Sequence, residues 1–166
     1  MKSIHTICLL LVSQCLLAQN RPSIEKIDAV VDFIEANASS KNSFSTQHIY
    51  KNNKTIIQQY TYYTNGTMLT KIVCSFLFDN KKTEQTFYIK SNALVFAKEA
   101  IISHYKTAAQ VDSTSWMGQY YFSRGKLIDE HTFGHGKSEE EGWNPQKEVL
   151  DNYKRARKEV LKYMGK

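Results

Sequence analysis

Ile24, Ile27, Val31 and Ile34 recur at steps of three, four and three residues, the spacing that aligns on one face of a helix. Pro22 fits the first turn of such a helix, and Glu25 and Asp28 suit its positive N-terminal end. Asn37-Ala38-Ser39-Ser40 then closes it. Further on the pattern becomes that of strands. Segments 55–63 and 68–78 are rich in β-branched and aromatic residues, with Asn65-Gly66 between them as a hairpin turn. Asp79-Asn80-Lys81-Lys82 turns the chain into 83–90, and Ser91-Asn92 turns it into 93–105. After a polar loop over 106–114, segments 115–123 and 126–133 form a last hairpin about Arg124-Gly125. Asn144-Pro145 reads as an N-cap followed by proline at the first helical position. Beyond it Val149, Tyr153, Ala156, Val160 and Met164 return at helical spacing. Consecutive strands with tight turns pair antiparallel, since parallel neighbours need long crossovers. The fold expected is α+β: an antiparallel meander of five to six strands with an N-terminal and a C-terminal helix packed on it. No internal repeat stands out.

The first residues belong to a different pattern. Lys2, an apolar run over 7–17 and the small residue Ala18 have the form of a secretory signal peptide, cleaved after Ala18. The run is too short to span a bilayer, and no later stretch is long enough. The chain therefore divides into a signal peptide, 1–18, and a single domain, 19–166, expected in the periplasm or outside the cell. Lipid attachment at Cys15 is the alternative, with Gln14 standing where a small residue would be expected. Cleavage leaves Cys74 as the one remaining cysteine, so a mature monomer has no disulfide and is held by its core. Cys74 sits in an apolar run and reads as a buried, inert thiol.

Composition narrows the classes. With 42% apolar and 12% aromatic residues, burial outweighs charge repulsion and disorder is excluded. Seven glycines and two prolines exclude collagen-like and linker sequences. The formal net charge is +6, concentrated in 41–106 and 144–166, while 19–40 and 107–143 are acidic on balance. Such a bias suits acidic glycans, lipid headgroups or an acidic protein. Nucleic acid is not expected of an exported chain whose cations are nearly all lysine, because arginine dominates base-edge contacts.

Candidate chemistry gathers in the last hairpin. If Arg124-Gly125 is a two-residue loop, Phe122 faces Leu127, Tyr120 faces Asp129, Gly118 faces His131 and Trp116 faces Phe133. These eight then share one side, and its aromatic character makes it the inner one. Trp116, Tyr120, Asp129 and His131 become the candidate ligand-binding residues, with Gly118 leaving room above it and Asp129 orienting the imidazole. The plainer reading is a hydrogen-bonded pair inside a core. His131 and His135, followed by Glu139-Glu140-Glu141, offer zinc ligands, although no Glu stands in the metalloprotease position between them. Gly134-His135-Gly136-Lys137-Ser138 lacks the first glycine of a phosphate-binding loop, since His131 occupies that position. No nucleophile-elbow or dinucleotide motif occurs, so no catalytic residue is assigned and no cofactor beyond zinc is implied.

The phrase Tyr120-Tyr121-Phe122-Ser123-Arg124-Gly125-Lys126-Leu127-Ile128 resembles a hairpin of small exported bacterial proteins of unassigned activity. There it follows a meander and precedes a C-terminal helix. The resemblance implies a cell-envelope location and an antiparallel fold, and assigns no functional residue. The leading functional expectation is a non-catalytic exported module contacting an envelope protein, peptide or glycan through a sheet face. The alternative is a small-ligand or metal-binding protein, conceivably a hydrolase, centred on Asp129, His131 and His135.

Overall fold

Seven strands follow one another in a single antiparallel sheet, each hydrogen-bonded to the next in chain order. They are β1 (Ser40–Ile49), β2 (Thr55–Asn65), β3 (Met68–Phe78), β4 (Lys81–Lys90), β5 (Ala93–Ser103), β6 (Ser113–Ser123) and β7 (Lys126–Gly134). Helix α1 (Ile24–Asn37) precedes the sheet, and a 3-10 turn (Lys137–Glu139) and helix α2 (Pro145–Tyr163) follow it. The computed structural model describes residues 23–38, 40–49, 55–78, 81–103 and 113–165. The signal segment with Cys15, Pro22, the Asp79-Asn80 turn and most of the 106–114 loop lie outside the described residues. Among the described residues, no helix is long and apolar enough to cross a membrane.

The helices take opposite sides of the sheet, called here the α1 face and the α2 face. Ile27, Val31 and Ile34 of α1 bury against Tyr88, Phe96 and Tyr121. Asn144 caps α2, its Oδ1 accepting from the Lys147 amide at 2.9 Å, and Pro145 opens the helix. Val149, Tyr153, Ala156 and Val160 then bury against the larger core, among them Tyr60, Ile72, Phe87, Trp116 and Tyr120. Cys74 belongs to this core, and burial pushes its thiol up to about 12.

The meander has one strand more than expected. β1 is polar, SKNSFSTQHI, and Phe44 is the residue of it that packs on the α2-face core. β1 ends the sheet order, and an edge strand needs no apolar alternation when backbone pairing, here to β2, holds it. Three hairpins also repeat one device. The sequences Tyr62-Tyr63, Phe87-Tyr88 and Tyr120-Tyr121 each lead through a tight turn to Leu69, Leu94 or Leu127. In each, pairing slips by one residue just after that leucine, leaving Thr70, Val95 and Ile128 as the extra residue. Leu69, Leu94 and Leu127 contribute to the α2-face core, while Val95 and Ile128 pack under α1. Alternation sends each leucine and the residue after it to opposite sides, and the bulge then puts the next residue, Lys71, Phe96 or Asp129, on the α1 face as well. Ser91-Asn92 and Arg124-Gly125 both have left-handed backbone, φ 50°, 63°, 51° and 75°, the conformation that matches strand twist in a two-residue turn.

Candidate functional site

The slip at Ile128 rearranges the last hairpin. Phe122 faces Leu127 as expected, but Tyr121 faces Asp129, Gln119 faces His131, Gly118 faces Thr132 and Trp116 faces Gly134. Asp129 and His131 consequently stand on the α1 face, while Trp116 and Tyr120 stand fully buried on the α2 face. The four residues do not form one pocket, and this corrects the expected inward pairing of rings, acid and imidazole. The room above Gly118 is already taken. A Cβ there would lie 2.3 Å from Tyr120 Oη and 2.9 Å from Trp116 Cη2, so both rings lean over the glycine from their own strand.

The histidines lie in open surroundings. His131 Nε2 is 3.3 Å from Asp129 Oδ2, and the two side chains are 60% and 35% exposed. The imidazole meets the Tyr121 ring edge-on at 5.8 Å. His135, just beyond β7, pairs through Nδ1 with Glu139 Oε1 at 2.7 Å in solvent. The hydrogen bond and charge of Glu139 raise its pKa. Each histidine thus has a single carboxylate neighbour. Among the described residues, no three His, Cys, Asp or Glu side chains gather as metal ligands.

The chemistry is denser at residues that no sequence motif marked. Glu99 lies in the register row Cys74, Gln85, Glu99, Gly118 across the α2 face and is 3% exposed. Lys137, from the 3-10 turn, reaches down to donate to Glu99 Oε1 at 2.6 Å and also to Glu148 Oε1 of α2. Trp143 Nε1 donates to the other oxygen of Glu148 at 2.9 Å, and its ring meets Trp116 edge-on. One ammonium therefore bridges strand, turn and helix. Burial raises the Glu99 carboxyl even against the charge and hydrogen bond of Lys137. Burial would lower Lys137, but the two carboxylates outweigh it and raise the ammonium. Trp116 Nε1, Tyr120 Oη and Tyr153 Oη are also buried, without a hydrogen-bond partner among the described residues. The arrangement binds the 134–144 segment to the core.

A second clip holds α1. Glu35 accepts from Lys71 Nζ at 2.6 Å and from Tyr88 Oη at 2.5 Å. Burial alone would raise the Glu35 carboxyl, but these bonds and the Lys71 charge outweigh it and hold it below the ordinary value. Lys71 also lies 4.1 Å from the centre of the Tyr63 ring.

Beyond this clip no helix among the described residues covers the α1 face. Rows with Thr86, Lys98, Gln119 and His131, and with Glu84, Ala100, Met117 and Phe133, continue past the helix. Leu77, Met117 and Phe133 on this side are 58%, 39% and 76% exposed. Against protein-family models, curated proteins and solved structures, the chain finds no match. The geometry alone therefore carries the functional reading. A signal for the uncovered face was present in the apolar residues of β3, β6 and β7, but choosing the outward ones required the bulge.

Proposed function

We propose that this protein is a non-catalytic exported module that binds a protein or peptide partner on the uncovered part of its α1 face. The observation that carries this reading is the contrast on that face. α1 buries the row of Tyr88, Phe96 and Tyr121, while Leu77, opposite Lys82, and Met117 and Phe133, in one row with Glu84 and Ala100, are exposed. Exposed apolar side chains rimmed by polar ones on a sheet face mark an interaction surface. Glycans are the weaker fit, because these three side chains offer one ring among aliphatic groups. Export rests on Lys2 and the apolar run over 7–17. The alternative centred on Asp129, His131 and His135 has less support, since each imidazole is engaged by one exposed carboxylate.

The test is selection of peptides from a random display library on the whole protein, followed by binding to two variants. Leu77→Lys/Phe133→Lys is expected to lose the selected peptides, and Phe33→Lys, on the outer side of α1, to keep them. Peptides that bind both variants alike would refute the face.

A further inference from the structure

The side of α2 turned away from the sheet carries a different surface. Val149, Tyr153, Ala156 and Val160 are buried, and a helical turn of 3.6 residues puts Lys147, Asp151, Lys154, Arg155, Lys158 and Lys162 opposite them. All six are exposed. Five cations and one acid thus form a straight ridge spanning about 22 Å at 1.5 Å per residue. Asp151 is shared between Lys147 at 3.6 Å and Lys154 at 3.5 Å, while Arg155 donates to Asn152. Among the described residues, Lys158 and Lys162 have no carboxylate partner, so positive charge is least compensated at the C-terminal end of the ridge. Tyr163 stands at that same end, 57% exposed, with one ring face stacked on Phe44 at 4.3 Å.

We infer that this ridge is a docking surface for a linear acidic polysaccharide. Lys154, Lys158 and Lys162 follow one another about 6 Å apart along the axis, roughly one helical turn per step, which matches a chain that repeats its negative charge along its length. An anionic membrane is the poorer occupant. Interfacial helices hold membranes by inserting apolar side chains, and the apolar side of α2 is already buried in the sheet. The exposed aromatic beside Lys162 suits a sugar ring, which stacks on such a surface. The ridge lies across the sheet from the α1-face patch, so the two readings stand or fall separately.

The test uses heparin and polygalacturonate as probes, with vesicles of phosphatidylglycerol in phosphatidylcholine as the comparison. The whole protein is expected to bind both polysaccharides at low salt and to weaken steadily as salt rises. Lys154→Glu/Lys158→Glu/Lys162→Glu is expected to lose at least about tenfold in affinity and to flatten the salt dependence. Lys81→Glu/Lys90→Glu/Lys126→Glu changes net charge equally on exposed positions elsewhere and is expected to retain binding. Thermal unfolding of both triple variants checks that each remains folded. Equal losses in the two variants, or binding to the vesicles without binding to either polysaccharide, would overturn the inference. Undiminished binding by Tyr163→Ala would overturn the choice of a saccharide among polyanions.

Discussion

Two lysine–carboxylate clips fasten the two helices to the sheet, and they are built as mirror images. On the α1 face the lysine is the buried partner: Lys71 is 9% exposed and Glu35 46%. On the α2 face the carboxylate is the buried partner: Glu99 is 4% exposed and Lys137 21%. Salt bridges with one foot in water gain little, because solvent screens them. What distinguishes the clips is the charge each would strand if broken. Stranding Glu99 leaves an anion in the core, whereas stranding Glu35 leaves an anion that water can reach.

Lys137→Met is therefore expected to be the most damaging single change in either clip. It removes the one cation that bridges Glu99 and Glu148, and breaking a buried pair from one side costs about 3–5 kcal/mol. Urea unfolding should show a much lower midpoint at neutral pH. Adding Glu99→Gln to Lys137→Met should restore part of it, because the stranded anion is then gone. A midpoint within error of the parent would mean that Glu99 is neutral in the folded protein and that Lys137 does not hold it.

On the α1 face the order reverses. Glu35→Gln strands the buried Lys71, while Lys71→Met leaves Glu35 half in solvent with its Tyr88 bond intact. Glu35→Gln should cost about 2 kcal/mol, the range of a charged hydrogen bond, and Lys71→Met less, because its partner is screened by water. Should Lys71→Met prove the worse of the two, the exposed carboxylate would be the dominant partner and the mirror relation would fail.

Titration sharpens the same contrast. Glu35 is held below the ordinary carboxyl value of 4.5, so it releases its proton more readily folded than unfolded. Its stabilisation is present above that ordinary range and is lost as pH falls through its lower folded value. Glu99 is raised above 4.5, so folded protein binds its proton more tightly. Stability then falls as pH rises from the ordinary value through the raised one. Measured from acid to neutral pH, the deficit of Glu35→Gln against the parent should widen. Over the same interval Glu99→Gln should gain on the parent. Parallel curves for the two variants would erase the asymmetry.

The elements were legible in the sequence to the extent that burial imposed a period. α1 and α2 each bury one face, so their apolar positions recur at 3.6, while the strands from β2 onward showed as β-branched and aromatic runs between turn residues, because β4, β5 and β6 bury residues on both faces. β1 carries Phe44 as its packed ring and pairs by backbone, which leaves no period to read. The candidate site was less legible, because one inserted residue at Ile128 sends every later side chain of β7 to the other face. Its trace was there in the threefold return of an aromatic pair, a turn and a leucine followed by Thr70, Val95 or Ile128. Glu99 and Lys137 lie 38 residues apart and meet only through strand register and the 3-10 turn, which no local pattern encodes.

The mildest expected effect belongs to a hydroxyl. Tyr120 Oη is buried over Gly118, within the field of Glu99, and has no hydrogen-bond partner among the described residues. Burial first, and then the charge of Glu99, raises its pKa. A buried polar atom without a partner costs stability, while the ring beneath it contributes packing against Trp116 and the glycine. Tyr120→Phe keeps the ring and removes the orphaned oxygen, so the midpoint should hold or rise by about 1 kcal/mol. The same change in the α1 clip, Tyr88→Phe, removes a hydroxyl that donates to Glu35, and it should lower the midpoint. Two Tyr→Phe substitutions from adjacent repeats of one hairpin would then move stability in opposite directions. A loss at Tyr120 as large as at Tyr88 would show that the buried hydroxyl has a partner, and would make the α2-face core, rather than the open α1 face, the place to look for a bound molecule.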